Sequence, residues 1–93
     1  MNLPKLFELL GYSIYFWSNE NNEPVHIHIS KGMATANSTK MWILESGSVL
    51  LENNKSKIPS KDLKKLMKVV QLHSNEICAK WRTAFGNEIK YYI

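Results

Sequence analysis

The chain predicts an α+β domain: a small antiparallel sheet of about four strands packed by one long C-terminal helix. Two observations carry that prediction. Strand-like alternation of apolar and polar residues is confined to the first half of the chain, and helical spacing of apolar residues fills residues 60–85. A third, the absence of any repeat, linker or composition shift, makes the 93 residues a single domain over 1–93.

Taken in order, Pro4 to Leu10 reads as a short helix with Leu6, Leu9 and Leu10 inward, stopped by Gly11. Tyr12 to Ser18 reads as the first strand, with aromatic residues on both faces. Asn19-Glu20-Asn21-Asn22 is a polar turn. Val25, Ile27 and Ile29 then alternate with His26 and His28, a period of two in β-branched residues. Pro24 suits the start of that strand, where a missing N–H is tolerated. Gly32 to Thr39 is small and polar, a loop. Lys40 to Leu44 and Val49 to Glu52 form a further hairpin across Ser46-Gly47, and Asn53 to Lys57 is an exposed loop.

The helix runs from about Ser60, a good N-cap, with Asp62 in its first turn. Leu63, Leu66, Met67, Val70, Ile77, Trp81 and Phe85 form its apolar stripe, and Gly86-Asn87 its stop. Serine and asparagine are mediocre interior helix formers, so His73-Ser74-Asn75 is where the helix can break. Ile89, Tyr91 and Ile93 alternate and predict a short edge strand.

Composition removes several classes. At 44% hydrophobic residues the chain is not disordered, and one cysteine, Cys78, excludes an internal disulfide and fits the reducing cytoplasm. No stretch reaches membrane-span length, and Lys5 and Glu8 interrupt the apolar N-terminus, so neither a signal peptide nor membrane association is expected. A domain this small buries a modest core, which homodimerisation or partner binding would supplement.

The candidate chemistry centres on His26 and His28. Side chains at i and i+2 share a strand face, with backbones roughly 7 Å apart. The pair therefore points away from the face made by Val25, Ile27 and Ile29. It reads as half of a divalent-metal site, as an acid–base pair, or as an ordinary exposed polar strand face. Neither a cysteine nor a carboxylate stands at an evident ligand spacing. His73 lies on the helix stripe, and strand parity keeps it from the pair. Lys40 is the candidate phosphate holder beside the histidines.

The net charge of +4 is concentrated in the lysines. Lys61, Lys64, Lys65 and Lys68 fall on one helix face, a solvated face or a surface for nucleic acid or an acidic protein. Tyr15, Trp17 and Trp42 are candidate stacking platforms for bases, or else core aromatics.

Glu23-Pro24-x-His26-x-His28, followed by Gly32, Lys40-x-Trp42, an asparagine at 53–54, Lys61-Asp62-Leu63, Trp81 and Phe85-Gly86, resembles the bacterial domain-of-unknown-function 4160 family. The likeness covers roughly Gly11 to Gly86. It implies a small cytoplasmic prokaryotic protein whose gene lies beside that of a second small protein, with toxin–antitoxin pairing as the suspicion. It marks His26 and His28 as the functional positions without assigning a role. Three functions follow as expectations: a toxin-like component of such a pair acting through the histidine strand, with RNA cleavage as the chemistry if it is an enzyme; a non-enzymatic protein-interaction module; and a small metal-binding domain.

Overall fold

The computed structural model describes residues 5–20, 22–86 and 88–93. Five strands, β1 (Lys5–Leu9), β2 (Tyr12–Tyr15), β3 (His26–Lys31), β4 (Thr39–Ile43) and β5 (Val49–Asn54), precede two helices, α1 (Ser60–Leu72) and α2 (Ser74–Phe85). The sheet is an antiparallel meander in the order β1-β2-β3-β4-β5.

The first correction is β1, where a helix was expected from Pro4; Pro4 itself lies outside the described residues. A segment this short gains little as a helix on its own. As a strand it pairs Leu9 with Tyr12 and Glu8 with Ser13 across a tight turn. Leu10 and Gly11 make that turn with φ of 55° and 81°, the left-handed pair of a type I′ hairpin.

β2 is shorter than the expected Tyr12–Ser18, and the chain leaves the sheet after Tyr15 to make a long connection to β3. Of the expected turn at 19–22, Asn21 lies outside the described residues. The β2–β3 register sets Ile14 opposite Ile29 and Tyr15 opposite His28; the β3–β4 register sets His26 opposite Trp42 and His28 opposite Lys40. Between β4 and β5 the register shifts, with Lys40 opposite Asn53 but Met41 opposite Leu51, so Glu52 is the extra residue of a bulge. Asn54, at the end of β5, ties the sheet to the approach to α1. Its side chain accepts from Thr39 Oγ1 (2.6 Å) and the Ile58 N–H (3.0 Å) and donates to the Ile58 carbonyl (3.0 Å).

One sheet face carries the core. Ile14, Ile27, Ile29, Met41 and Ile43 pack against Leu66, Val70, Ile77, Cys78 and Trp81 from the helices, as the two periodicities require. The single long helix is in fact two. His73 adopts φ −102°, ψ 15°, and its N–H bonds back to the carbonyls of Val69 and Val70 while its own carbonyl accepts from Ile77. Ser60 is the first helical residue rather than the cap; Pro59 precedes the helix and its carbonyl accepts from the Leu63 N–H. Pro59 thus sits where its missing N–H costs nothing.

Gly86, with φ 97°, ends α2; Asn87 lies outside the described residues. The expected edge strand over Ile89, Tyr91 and Ile93 does not form. Residues 88–93 run without regular structure, joined to the sheet side by the Val25 N–H to Lys90 carbonyl bond (2.9 Å), while Ile89 and Tyr91 pack on the core. Among the described residues, no helix is long and apolar enough to cross a membrane.

Candidate functional site

The second sheet face holds the histidines. β3 turns His26 and His28 away from the helix-facing isoleucines, as alternation predicts. Of the three readings of the pair, the ordinary exposed polar face does not hold: His26 is 0% and His28 8% exposed. The cover comes from the β2–β3 connection, which folds Glu20 over the strand, and from the residues before β4, which bring Ser38.

Glu20 is the organising group. Its Oε2 lies 2.7 Å from His26 Nε2 and 2.8 Å from His28 Nε2, and its Oε1 accepts the Trp17 backbone N–H at 2.7 Å. The other ring nitrogens are also committed. His26 Nδ1 donates to the Pro24 carbonyl (2.9 Å), and His28 Nδ1 meets the Ser38 hydroxyl (2.8 Å). Rings enclose the group. Tyr15 stacks on His28 with centroids 5.6 Å apart, while Trp42 and Trp81 approach His26 edgewise at 5.5 Å and 5.3 Å.

Donor and acceptor counting constrains the cluster. The Pro24 carbonyl can only accept, so His26 Nδ1 carries a hydrogen. Were Nε2 then a bare lone pair, it would face a carboxylate oxygen at 2.7 Å, two acceptors in contact. A proton or another cation must lie between them. Burial alone would push the Glu20 carboxyl up. The hydrogen bonds from His26 and His28, the positive charge at His26 and the Trp17 N–H together outweigh it and hold Glu20 far below the ordinary carboxylate range.

Other anticipated residues fall elsewhere. Lys40 is not free to hold phosphate: its ammonium pairs with Glu23 Oε1 at 2.7 Å and lies 4.3 Å from the centroid of Trp42. Trp42 is 6% exposed, donates its indole N–H to Glu52 (2.8 Å), and has Tyr92 stacked on it at 4.6 Å. Tyr15 is fully buried, its hydroxyl bonded to Ser30 (2.7 Å), so neither ring offers an open stacking face; Trp17 is half-buried, edge-on to Tyr15. Lys61, Lys64, Lys65 and Lys68 are exposed on α1, and among the described residues none makes an ion pair. His73 stays out of the cluster, as parity predicts, and is half-exposed against Phe7 and Glu76 rather than packed in the core. A cavity of about 540 Å³ at the β1–β2 turn, lined by Leu10, Tyr12 and Met33, includes none of the histidine cluster.

Sequence reasoning missed Glu20 and Ser38. Glu20 sits among three asparagines in what reads as a turn. The available signal was topological, because a connection between paired strands must fold back near the start of β3, where His26 stands.

The fold and cluster define a small α+β domain with a buried two-histidine, one-carboxylate group on the sheet face opposite the isoleucine core, where Trp81 of α2 reaches His26. The chain belongs to the family described as Domain of unknown function (DUF4160), whose model matches residues 11–82. That span holds Glu20, both histidines and Trp81. No curated protein and no solved structure matches the chain.

Proposed function

We propose that the protein is a non-enzymatic binding module of a toxin–antitoxin type pair, and that a small acidic cognate protein binds it along the lysine stripe of α1. The carrying observation is the stripe itself: Lys61, Lys64, Lys65 and Lys68 are exposed, recur at helical spacing, and have no ion-pair partner among the described residues. Four like charges within eight residues make a local field that an acidic surface would complement.

The closed histidine cluster favours a binding role over RNA cleavage. A catalytic acid or base must come within hydrogen-bond reach of its substrate. Here all four imidazole nitrogens of His26 and His28 are bonded within the fold. A protein partner is favoured over nucleic acid because Tyr15 and Trp42, two of the candidate stacking rings, lie on the histidine face and not beside the lysines.

The test is co-purification with the product of the neighbouring small gene at low and high salt. The comparison is with Lys61→Glu/Lys64→Glu/Lys65→Glu/Lys68→Glu. The expected result is a complex that high salt weakens and charge reversal abolishes. An equally tight complex with the reversed helix would move the interface elsewhere. Binding of RNA instead, lost on reversal, would replace the protein partner with nucleic acid.

A further inference from the structure

We propose that Glu20, His26 and His28 form a binding site for a borderline first-row divalent cation of the Zn2+ or Co2+ type, held by Glu20 Oε2 and the Nε2 atoms of both histidines. This inference stands apart from the lysine-stripe reading and survives its failure.

Geometry is the first support. One ligand atom from each of the three residues can be chosen so that all lie within 4.8 Å of one another. Metal–nitrogen and metal–oxygen bonds of about 2.0–2.1 Å at tetrahedral angles set ligand atoms about 3.3 Å apart. The two contacts to Glu20 Oε2, 2.7 and 2.8 Å, are those of a site closed around protons. Opening each by about half an ångström reaches the metal spacing. Glu20 stands on the β2–β3 connection and not in β3, so its carboxylate can move by that amount while the strand stays in place.

The shell behind the ligands is the second support. Histidines that bind metal nearly always give their other N–H to a carbonyl, carboxylate or water, which fixes the ring and leaves one nitrogen facing the ion. The Pro24 carbonyl does this for His26, and the Ser38 hydroxyl holds Nδ1 of His28. Both rings therefore present Nε2 to the same carboxylate oxygen. A structural polar patch requires no such convergence.

Charge is the third. The contact between Glu20 Oε2 and His26 Nε2 is bridged by a proton in the metal-free fold; a divalent ion bonded to both atoms would take that proton's place and join His28 Nε2, which faces the same oxygen, to the same centre. The surroundings oppose hydration of a bare charge, with Tyr15, Trp42 and Trp81 around the rings.

The donor set also selects the ion. Two imidazoles and one carboxylate match zinc, cobalt, nickel, copper or ferrous iron, whereas magnesium and calcium require mostly oxygen. Three protein ligands leave a fourth position for water or another donor. Glu20 and His28 keep 11% and 10% side-chain exposure, whereas His26 keeps none. With His26 sealed in, the ion would chiefly lock the β2–β3 connection onto the sheet.

The test uses the full chain, freed of metal by chelation and then titrated with Co2+ and, separately, Zn2+. The expected result is one equivalent of Co2+ with the intense visible absorption of a tetrahedral N/O site and no thiolate charge-transfer band. At free Zn2+ 100 times its Kd, the ratio of folded to unfolded chain should rise about 100-fold. Glu20→Gln and His28→Gln should each weaken binding by at least 10-fold, the lower end of what loss even of an outer-shell partner costs. His73→Gln and Cys78→Ser should bind as the parent does. Less than half an equivalent bound to folded parent chain would overturn the proposal. Full binding retained by Glu20→Gln, or lost in His73→Gln, would also overturn it. If Glu20→Gln does not fold, the parent chain's Co2+ spectrum and stoichiometry still decide the matter.

Discussion

Replacing Glu20 separates a cluster that holds the fold together from a polar face that merely tolerates burial. In Glu20→Gln the side chain keeps its shape. Its amide oxygen can still accept the Trp17 N–H, and its NH2 can donate to His26 Nε2, whose other nitrogen is tied to Pro24. Its second N–H can reach His28 Nε2 only if that ring shifts its hydrogen to Nδ1, facing the Ser38 hydroxyl, and all charge assistance is lost. One charge-assisted hydrogen bond corresponds to about 1.5–3 kcal/mol. Glu20→Ala is harsher: it strips the partner from Trp17, His26 and His28 together, and breaking a buried pair from one side costs about 3–5 kcal/mol. Against the roughly 5–14 kcal/mol expected for a domain of this size, the alanine variant forfeits a large part of the total. Urea unfolding at neutral pH, metal-free, measures both. The order parent, Gln, Ala should hold, with at least 1 kcal/mol of coupling between Glu20→Ala and His28→Ala in a double-mutant cycle. A Glu20→Ala change within about 0.5 kcal/mol of the parent, as at an ordinary surface site, would refute the reasoning.

Three further outcomes follow from the same contacts. Glu20 holds its proton less tightly folded than unfolded, so its stabilisation is complete above the ordinary glutamate pKa of 4.5 and is lost as pH falls below it; Glu20→Gln should flatten that acid limb in pH-dependent unfolding. Trp81, 2% exposed among Phe16, Phe85 and His26, should cost about 3–5 kcal/mol as Trp81→Ala by chemical denaturation. Lys57 has a φ of 57°, so Lys57→Gly should raise stability, measured as a higher urea midpoint, by about 0.5–1 kcal/mol, the left-handed strain exceeding the added chain entropy.

What the sequence disclosed depended on how far apart the interacting residues lie. Ile27 and Ile29 against Leu66, Val70 and Ile77 were legible because each element carries its own periodicity. The parity that turns His26 and His28 from the helices follows from two-residue repetition alone. The break at His73 was signalled by Ser74 and Asn75. β1 was not legible, because Leu6, Leu9 and Leu10 satisfy a helical spacing and only pairing with β2 decides for a strand. The tail failed in the opposite sense: Ile89, Tyr91 and Ile93 alternate, yet Ile89 and Tyr91 pack on the core without a ladder. The site was half legible. Its histidines announce themselves by spacing, but Glu20 reaches them from a connection whose path the local sequence does not encode. Burial of His26 follows from that path, which is why the local sequence left an exposed polar face open as one of its readings.

The central claim is that Glu20 draws His26 and His28 into one cation-holding group inside the fold. Imidazole nitrogen NMR of the metal-free chain, followed through addition of one equivalent of Zn2+, tests it most directly. The account predicts that the Nε2 resonances of His26 and His28 shift together and are complete at one equivalent, with Nδ1 of His26 still hydrogen-bearing and His73 unmoved. Shifts confined to His73, or none at His26 and His28 in folded protein, would contradict it.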